Sequence, residues 1–358
     1  MAGLKICVLC LLSLSLISCI RNSEEIYSEM KSGLVLIKVE RYQVLTFPNG
    51  EKMYFTGLES DGSLANVTSS ADSIISSTAY GSGFFVSDKG EIVTAHHVIT
   101  SKTNEEEVRN VIRAAIDYGK SALNDEYNQM SELLWQLNIR QEELYDGLYS
   151  YNWEDDWENQ LFISALEEQM EEHRQRYRDL AAIDPARFDV SGMTVVSVAY
   201  NDTHITNDSD FTPCVVIKED EENDLAVLQL KDKATPLGKF VFPIPSKDPL
   251  ENYSFYDDII KRIQKDKNEQ LYLLGFNLGP SLALTSEGLM AQINQGNISQ
   301  KQPSRLMYSI PALPGSSGAP VVNSRGELVA VNNAGLSNTQ SFNYGVRINK
   351  LHNLLDQK

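Results

Sequence analysis

A short turn rich in glycine and serine is the first segment of this sequence that could do chemistry. Residues 311–322 read PALPGSSGAPVV. The prolines exclude a helix interior, the glycines permit backbone angles that a β-carbon would forbid, and the valines predict the start of a strand. The stretch is therefore predicted to form a tight, exposed turn with a hydroxyl at its centre. It is either an ordinary surface turn or one that presents a nucleophilic serine.

A nucleophilic serine needs a base within hydrogen-bond reach, an acid that fixes the tautomer of the base, and backbone N–H groups directed at the developing oxyanion. The segment TAHHV (94–98) can supply the base, and NDLAVLQL (223–230) can supply the acid. Each segment alone is a weak signal, because most surface histidines and most aspartates before a strand have no catalytic role. Together they place His, Asp and Ser in that order, each at a boundary between a strand and a turn.

The segments that must position these residues are predicted to be short strands. GSGFFVSDKGEIVTAHHVIT (81–100) predicts a hairpin around its Asp-Lys-Gly turn. Other apolar runs bounded by turn residues lie at 33–40, 192–200, 214–230 and 270–279, and more follow towards the end of the chain. Short strands separated by turns indicate a mainly β protein, built as a barrel or a sandwich.

Residues 101–190 have a different composition, with 21 Asp and Glu against 9 Lys and Arg, a net charge of −12. Apolar side chains recur there at helical spacing in two sets, and Asp184-Pro185 ends the second set. We expect a coiled-coil-like hairpin of two helices, the first of about 40 residues and about 60 Å long. Thr103 followed by Glu106 resembles a capping box at its start.

The N-terminus resembles a bacterial lipoprotein signal. Lys5 precedes an apolar run that is short for a membrane-spanning helix, and the run ends in LISC (16–19) before polar sequence. We expect residues 1–18 to be the signal peptide, Cys19 to carry the lipid that anchors the protein, and residues 19–32 to be a tether. A plain signal peptide cut nearby and an uncut anchor are the alternatives. With Cys19 lipidated, Cys214 has no disulfide partner in the exported protein.

The charge of the chain excludes one class of partner. The formal net charge is −18, and no basic face that would bind nucleic acid stands out. The adjacent His96 and His97 are a poor metal clamp, because neighbouring side chains in extended structure point apart. We therefore expect no nucleic-acid partner and no metal at this pair, and the family resemblance given below implies neither a metal nor an organic cofactor.

As a set, these segments resemble the trypsin-like serine peptidases of the chymotrypsin fold, most closely their bacterial HtrA/Deg-like branch. The likeness rests on GSGFFVSDKGEIVTAHHV, NDLAVLQL, LLGFNLG and PGSSGAPVVNSRGELVAV, and it covers about 33–100 and 192–356. It implies a mainly β fold, a chymotrypsin-like double β-barrel formed by 33–100 and 191–358. Residues 101–190 would be a long α-helical hairpin inserted into it. No PDZ-like domain is expected after the barrels.

The resemblance also implies the role of each candidate residue. His97 would be the base, Asp224 the acid and Ser317 the nucleophile, while the backbone N–H groups of Gly315 and Ser317 would bind the oxyanion. Two positions depart from the family pattern. Ser316 stands where the family usually has Asn or Asp, and Ala319 stands where it often has Gly.

The function implied is that of an exported, lipid-anchored serine endopeptidase of the bacterial cell envelope, which cleaves protein or peptide substrates through an acyl-enzyme. The alternative is a catalytically silent lipoprotein on the same fold that binds a protein partner through its helical insertion. The loop and flanks of that insertion carry Tyr145, Tyr149, Tyr151, Trp153 and Trp157. Aromatic residues of this kind are favoured at protein interfaces.

Overall fold

The computed structural model describes residues 21–100, 104–145, 153–251, 270–335 and 342–357. The expected signal peptide, Cys19, Thr103, Tyr149 and Tyr151 lie outside the described residues. Within the described ranges, none of the helices combines the length and the apolar composition that a membrane-crossing segment needs.

The chain divides into two compact units. One contains Met1–Arg41, Ser77–Ser101 and Thr194–Lys358 and is called the barrel unit below; the other contains Tyr42–Ser76 and Lys102–Met193 and is called the hairpin unit. The sequence assigned 42–76 to the peptidase domain, and the structure differs here. These residues belong to the hairpin unit because the strand that begins at Leu34 continues past Arg41 as a ribbon paired with Lys52–Phe55.

The elements are given in chain order. The helices are α1 (Ser23–Met30), α2 (His96–Ile99), α3 (Glu105–Tyr145), α4 (Trp153–Ala181), α5 (Pro280–Ala283) and α6 (Ile348–Asp356). The strands are β1 (Leu34–Thr46), β2 (Lys52–Phe55), β3 (Gly57–Leu58), β4 (Leu64–Ala65), β5 (Ser77–Phe85), β6 (Glu91–Thr94), β7 (Asp189–Tyr200), β8 (Thr212–Asp220), β9 (Leu225–Leu230), β10 (Gln270–Gly275), β11 (Leu284–Thr285), β12 (Gly288–Leu289), β13 (Gln292–Lys301), β14 (Arg305–Tyr308), β15 (Pro320–Asn323), β16 (Leu328–Gly335) and β17 (Asn343–Arg347).

Two closed β-barrels of six strands each are present, and they confirm the predicted fold class. The first has the order β1-β5-β6-β9-β8-β7, and it closes because β7 also pairs with β1. The second has the order β10-β13-β14-β17-β16-β15, and it closes where β15 pairs with β10. The fold is a chymotrypsin-like double barrel with a long helical insertion.

The apolar runs that predicted strands are buried on both faces. In β1, Leu34 and Leu36 pack into one core cluster, whereas Val35, Ile37 and Val39 pack into another. Successive side chains of a strand point to opposite faces, so an unbroken apolar run is what a strand between two cores requires. The first cluster also contains residues of β10, β15 and β16, and it therefore joins the two barrels.

Residues 19–32 were expected to be a tether, and here the structure corrects the sequence analysis, because 23–30 form helix α1. The Asn22 side chain accepts the Glu25 N–H at 2.9 Å, and the Glu25 carboxylate accepts the Asn22 N–H at 3.0 Å, which completes a capping box. Ile26 and Met30, one helical turn apart, are fully buried in the core. Helix α1 therefore belongs to the barrel unit.

The hairpin unit is dominated by α3 and α4, which run antiparallel. Helix α3 has 41 residues, which agrees with the predicted length. Its start is capped by Asn104, whose Oδ1 accepts the Glu107 N–H at 3.2 Å. Two buried apolar side chains, Leu166 and Met170, and several polar contacts join the two helices; in one of these contacts Asn159 Nδ2 donates to the Leu137 carbonyl at 3.0 Å.

Candidate active site

The residues around His97 and Asp224 are brought together by strand pairing. Strand β6 pairs antiparallel with β9, with Thr94 opposite Ala226. His97 lies three residues beyond Thr94 in the short helix α2, and Asp224 immediately precedes β9. The two side chains therefore emerge at the same end of the first barrel.

The Asp224 carboxylate binds His97 at two points. Its Oδ1 accepts the backbone N–H of His97 at 2.8 Å, and its Oδ2 lies 2.7 Å from the ring Nδ1. An ionised carboxylate only accepts hydrogen bonds, so this contact places the proton on Nδ1 and leaves Nε2 as the acceptor of the neutral ring. The His97 side chain is 46% exposed, so the ring has access to solvent.

Asp224 adopts a backbone conformation that is uncommon for a residue with a side chain. Its φ is +53°, in the left-handed region, where aspartate and asparagine are enriched. Such conformations cluster at functional sites and persist only when the surroundings enforce them. Here the Asp224 N–H donates to Glu221 at 3.3 Å and its carbonyl accepts the His96 N–H at 3.3 Å, so the turn is fixed at both ends.

His96 and His97 have separate environments. The Nε2 of His96 lies 3.3 Å from Glu219 Oε2, and the side chain is only 12% exposed. Arg41 fixes the backbone that follows, because its Nη2 donates to the Val98 carbonyl at 2.5 Å and to the His97 carbonyl at 3.3 Å. Of the two histidines, His97 is the one paired with Asp224.

Ser317 lies in the predicted turn, and the turn has a defined backbone geometry. The Pro314 carbonyl accepts the Leu278 N–H at 2.6 Å, and the Ser316 carbonyl accepts Asn332 Nδ2 at 2.9 Å. In a trans peptide the N–H points opposite to the carbonyl. The N–H groups of Gly315 and Ser317 therefore point away from these anchors, and neither donates to a backbone acceptor among the described residues.

Gly315 is required by its surroundings. Its φ is +96°, and a β-carbon there would lie 2.5 Å from the Phe276 carbonyl oxygen and 2.7 Å from the Gly279 nitrogen. Only glycine combines this backbone angle with so close an approach. The turn of residues 314–318, which carries the candidate nucleophile and is called the nucleophile turn below, consequently packs against the GFNLG turn that follows β10.

Ser82 ties the nucleophile turn to the first barrel. Its hydroxyl donates to the Gly315 carbonyl at 2.7 Å and accepts the Phe276 N–H at 2.9 Å. Its backbone N–H donates to the Ser317 carbonyl at 2.8 Å. Ser82 is 1% exposed. One buried residue of β5 therefore holds the carbonyls of Gly315 and Ser317, the two residues whose N–H groups are the candidate oxyanion donors.

The buried side chain of Ser316 has partners even though it departs from the family pattern. Its hydroxyl donates to the Leu313 carbonyl at 2.7 Å. Asn332, on β16, donates to the Ser316 carbonyl and accepts the Tyr308 hydroxyl at 2.7 Å. A serine at this position is compatible with an ordered turn, because it closes the turn locally while Asn332 holds its carbonyl.

The Ser317 hydroxyl is not hydrogen-bonded to His97. It donates instead to the Asn333 carbonyl at 3.2 Å, and no hydrogen bond joins Ser317 and His97 among the described residues. The turn nevertheless packs on the strand that leads to His97, since a β-carbon on Gly318 would meet Thr94 Oγ1 at 2.3 Å and the Ala95 nitrogen at 2.9 Å. Catalytic hydrogen bonds are often long or misaligned before substrate binds.

Sequence reasoning missed Ser82, Asn332 and Arg41. Ser82 and Gly315 are 233 residues apart in the chain, so no local pattern announces their contact. The Gly-Ser-Gly of 81–83 is the one signal that was present: small residues in a strand mark a close approach of another backbone, and the approaching backbone here is the nucleophile turn.

One comparison with known protein families matches part of the chain. Residues 181–331 match the family described as "Trypsin-like peptidase domain". That stretch contains Asp224 and Ser317 but not His97. The sequence has no significant match among curated proteins.

Among solved structures, the chain is similar to the crystal structure of the serine endoprotease from Yersinia pestis. The two share 12% sequence identity with a TM-score of 0.44, over 94% of this chain and 65% of that one. The chain thus spans about two thirds of the length of the protein it matches.

Proposed function

We propose that this protein is a serine endopeptidase that cleaves peptide bonds through Ser317, His97 and Asp224. The observation that carries the proposal is the two-point contact of Asp224 with His97, in the same unit as a serine turn. The N–H groups of Gly315 and Ser317 in that turn have no backbone acceptor within the described ranges. This combination supplies a base of fixed tautomer, a nucleophile and oxyanion donors, which are the parts that acyl transfer needs.

The mechanism follows from these positions. The Ser317 hydroxyl rotates from the Asn333 carbonyl towards His97 Nε2, which takes its proton as the oxygen attacks the substrate carbonyl. The N–H groups of Gly315 and Ser317 bind the oxyanion, and the imidazolium, stabilised by Asp224, protonates the leaving amine. Water then releases the acyl group by the same proton transfers in reverse.

The test is labelling with a fluorophosphonate, which reacts with activated serines. The wild-type chain should be labelled at Ser317 and should lose peptidase activity in proportion to labelling. The variant Ser317→Ala should be neither labelled nor active, whereas Ser316→Ala, one residue away, should still be labelled. A wild-type protein that is folded but never labelled would contradict the proposal.

A silent protein that binds a partner is the second candidate function, and one observation favours it. Trp153, Trp157 and Leu161 recur at every fourth residue of α4 and are 66%, 62% and 52% exposed. Exposed aromatic residues in a row are typical of interaction surfaces.

Replacing 104–183 by a short Gly-Ser linker tests whether the insertion binds or screens a protein. An insertion that recruits or screens substrate changes cleavage of a folded protein far more than cleavage of a small chromogenic peptide.

Export and lipid anchoring at Cys19 complete the proposal. The support is the sequence alone, since an apolar run ending in LISC precedes a polar segment. The variant Cys19→Ala should lose metabolic labelling with palmitate and leave the detergent phase. A variant that remains in the membrane fraction with an unprocessed N-terminus would identify the segment as an ordinary anchor.

A further inference from the structure

The hairpin unit contains a cavity of about 790 Å³ that the proposed reaction does not use. All its lining residues belong to that unit. Its walls are mainly apolar and come from β1 and β2, the segment 58–64, both long helices and Phe188. The side chains that the argument uses are Leu45, Phe47, Met53, Ile112 and Leu180.

The cavity is not a packing requirement of this region. A buried cluster, which includes Leu45, Phe55, Val108 and Phe188, already forms the core here, and its Leu45 and Phe188 also form part of the cavity wall. Phe47, Met53 and Ile112 pack against that cluster but remain half-buried, and they also line the cavity. The cavity is open to solvent, and open apolar pockets of about 300–1,000 Å³ are typical of binding sites.

The polar residues of the lining are acidic or neutral. Asp61 and Glu107 line the cavity, and no Lys, Arg or His does among the residues that the structure describes. Asp61 Oδ1 accepts the Ser63 N–H at 2.9 Å and the Ser63 hydroxyl at 2.7 Å. These hydrogen bonds lower the pKa of the Asp61 carboxyl, so it is ionised at neutral pH. An anionic ligand such as a fatty-acid carboxylate would meet two like charges, whereas a cation is attracted.

The cavity is elongated along α3. Its lining residues on that helix run from Glu107 to Gly119, a distance of about 18 Å by helical rise. An extended chain covers that distance with about five residues. Asn110 also lines the cavity, and its side-chain Nδ2 can donate a hydrogen bond to a peptide carbonyl. A short stretch of polypeptide fits both the length and the polar groups.

We propose that this cavity binds an extended polypeptide segment whose apolar side chains lie next to a lysine or arginine. The apolar side chains replace water against Phe47, Met53, Ile112 and Leu180, and the cation pairs with Asp61 and Glu107. This site contains no residue of the proposed catalytic set, so it goes beyond the proposed function. In a peptidase it would bind a segment of an unfolded substrate other than the segment that is cleaved.

The test measures binding without turnover, so it stands whether or not the protein is a peptidase. Full-length protein carrying Ser317→Ala is titrated by calorimetry with two peptides that share a Leu-Leu-Phe-Leu core. One core is flanked by lysines and the other by glutamates. The lysine-flanked peptide should bind at least about tenfold more tightly, with the preference declining as salt screens the carboxylates.

Two pairs of variants locate the site. Ala115→Phe fills the cavity from α3 and should weaken the lysine-flanked peptide at least about tenfold, while Ser121→Phe, exposed on the same helix and outside the cavity, should change it less than about twofold. The double variant Asp61→Asn with Glu107→Gln keeps side-chain shape and should remove most of the preference for lysine. Glu106 is an exposed neighbour outside the lining, so Glu106→Gln should leave the preference for the lysine-flanked peptide unchanged.

Several outcomes would overturn the proposal. Equal affinity for both peptides removes the charge argument, and affinity unchanged by Ala115→Phe, in a variant with an unaltered melting temperature, places binding elsewhere. Dodecanoate provides a further comparison. If it binds more tightly than the lysine-flanked peptide, and if Ala115→Phe weakens its binding, the occupant is an anionic amphiphile and not a polypeptide. No binding of either peptide also refutes it.

Discussion

The nucleophile turn and the helical hairpin are stabilised in opposite ways. In the turn, Ser82, Ser316 and Asn332 are each at most 2% exposed, and together they hold the carbonyls of three successive turn residues and of Leu313. In the hairpin, the 41- and 29-residue helices share few buried apolar side chains and a small buried polar group around Asn159, and most of their charged pairs lie at the surface. Surface ion pairs each contribute little.

The difference matches two kinds of task. Chemistry needs atoms held within fractions of an ångström, and the turn is cross-linked to strands of both barrels. Recognition tolerates adaptable surfaces, and the hairpin unit carries exposed tryptophans and an open apolar cavity. The predictions that follow test whether this division is real, from the largest expected effect to the smallest.

The two adjacent histidines give the sharpest test within the barrel unit. His97→Ala should reduce kcat/KM by at least about 10⁴-fold, since loss of a triad histidine removes both the general base and the general acid. His96→Ala should retain activity within about tenfold, because its ring contacts Glu219 and not Asp224. Steady-state rates on a chromogenic peptide measure both. The reverse ranking would show that His96, and not His97, is the base.

Ser82 and Ser324 form a matched pair of buried serines. Ser82→Ala leaves the Gly315 carbonyl and the Phe276 N–H without their partner, which costs about 1–3 kcal/mol of stability. We expect kcat to fall about 10- to 100-fold with KM nearly unchanged, because the change displaces groups that act in the transition state. Initial rates and urea unfolding give the two quantities.

Ser324 is the control, because it is 1% exposed and its hydroxyl has no hydrogen-bond partner among the described residues. Ser324→Ala should leave kcat unchanged. It should change the free energy of unfolding by less than about 0.5 kcal/mol. If Ser82→Ala lowered stability but left both kcat and the rate of fluorophosphonate labelling intact, Ser82 would be structural and would not position the turn.

The sequence predicted the elements with strong local patterns. The length of α3 follows from helical periodicity, and the hairpin of β5 and β6 follows from its Asp-Lys-Gly turn. Helix α1 could have been found too, because Asn22 with Glu25 is a capping box and Ile26 and Met30 lie one turn apart. A two-turn helix has little periodicity of its own, which is why a tether was expected instead.

What could not be predicted depends on contacts between distant residues. The role of Ser82 arises only when the second barrel brings Gly315 against it, and Asn332 meets Ser316 across a strand and a turn. The cavity of the hairpin unit is an extreme case, because residues 42–76 looked like further barrel strands and gave no sign of association with the helices. The choice of His97 over His96 came from the family resemblance and stays a prediction; the structure shows that the His97 ring is the one in contact with Asp224.

The hairpin should respond to core and surface changes very differently. Leu166→Ala and Met170→Ala each remove one of its few buried side chains and should destabilise α3 and α4 by about 2–5 kcal/mol. Trp157→Ala, at an exposed site, should change stability by less than about 0.5 kcal/mol. Hydrogen exchange followed by mass spectrometry should show faster exchange in both helices for the core variants, with β10 and β15 still protected. Equal effects of Trp157→Ala would mean that the tryptophan is covered in solution.

The smallest effect concerns Cys214, a buried thiol of β8 in the barrel unit. Burial raises its pKa from the usual 9.0 to about 12. At pH 8 the folded protein therefore holds about 1,000-fold less thiolate at this site than the unfolded chain, and alkylation requires the thiolate. Iodoacetamide should leave the Cys214 tryptic peptide unmodified in the folded protein and modify it rapidly in urea.

The raised pKa of Cys214 also determines how the stability of the fold changes with pH. Burial of the neutral thiol stabilises the fold fully below about pH 9, and this contribution is lost as the pH rises towards 12. Cys214→Ser, which stays neutral throughout this range, should flatten the decline in the free energy of unfolding between pH 9 and 11. Rapid alkylation of the folded protein at pH 8 would show that the barrel opens at β8, and the contrast between a rigid barrel unit and an adaptable hairpin unit would then fail at that strand.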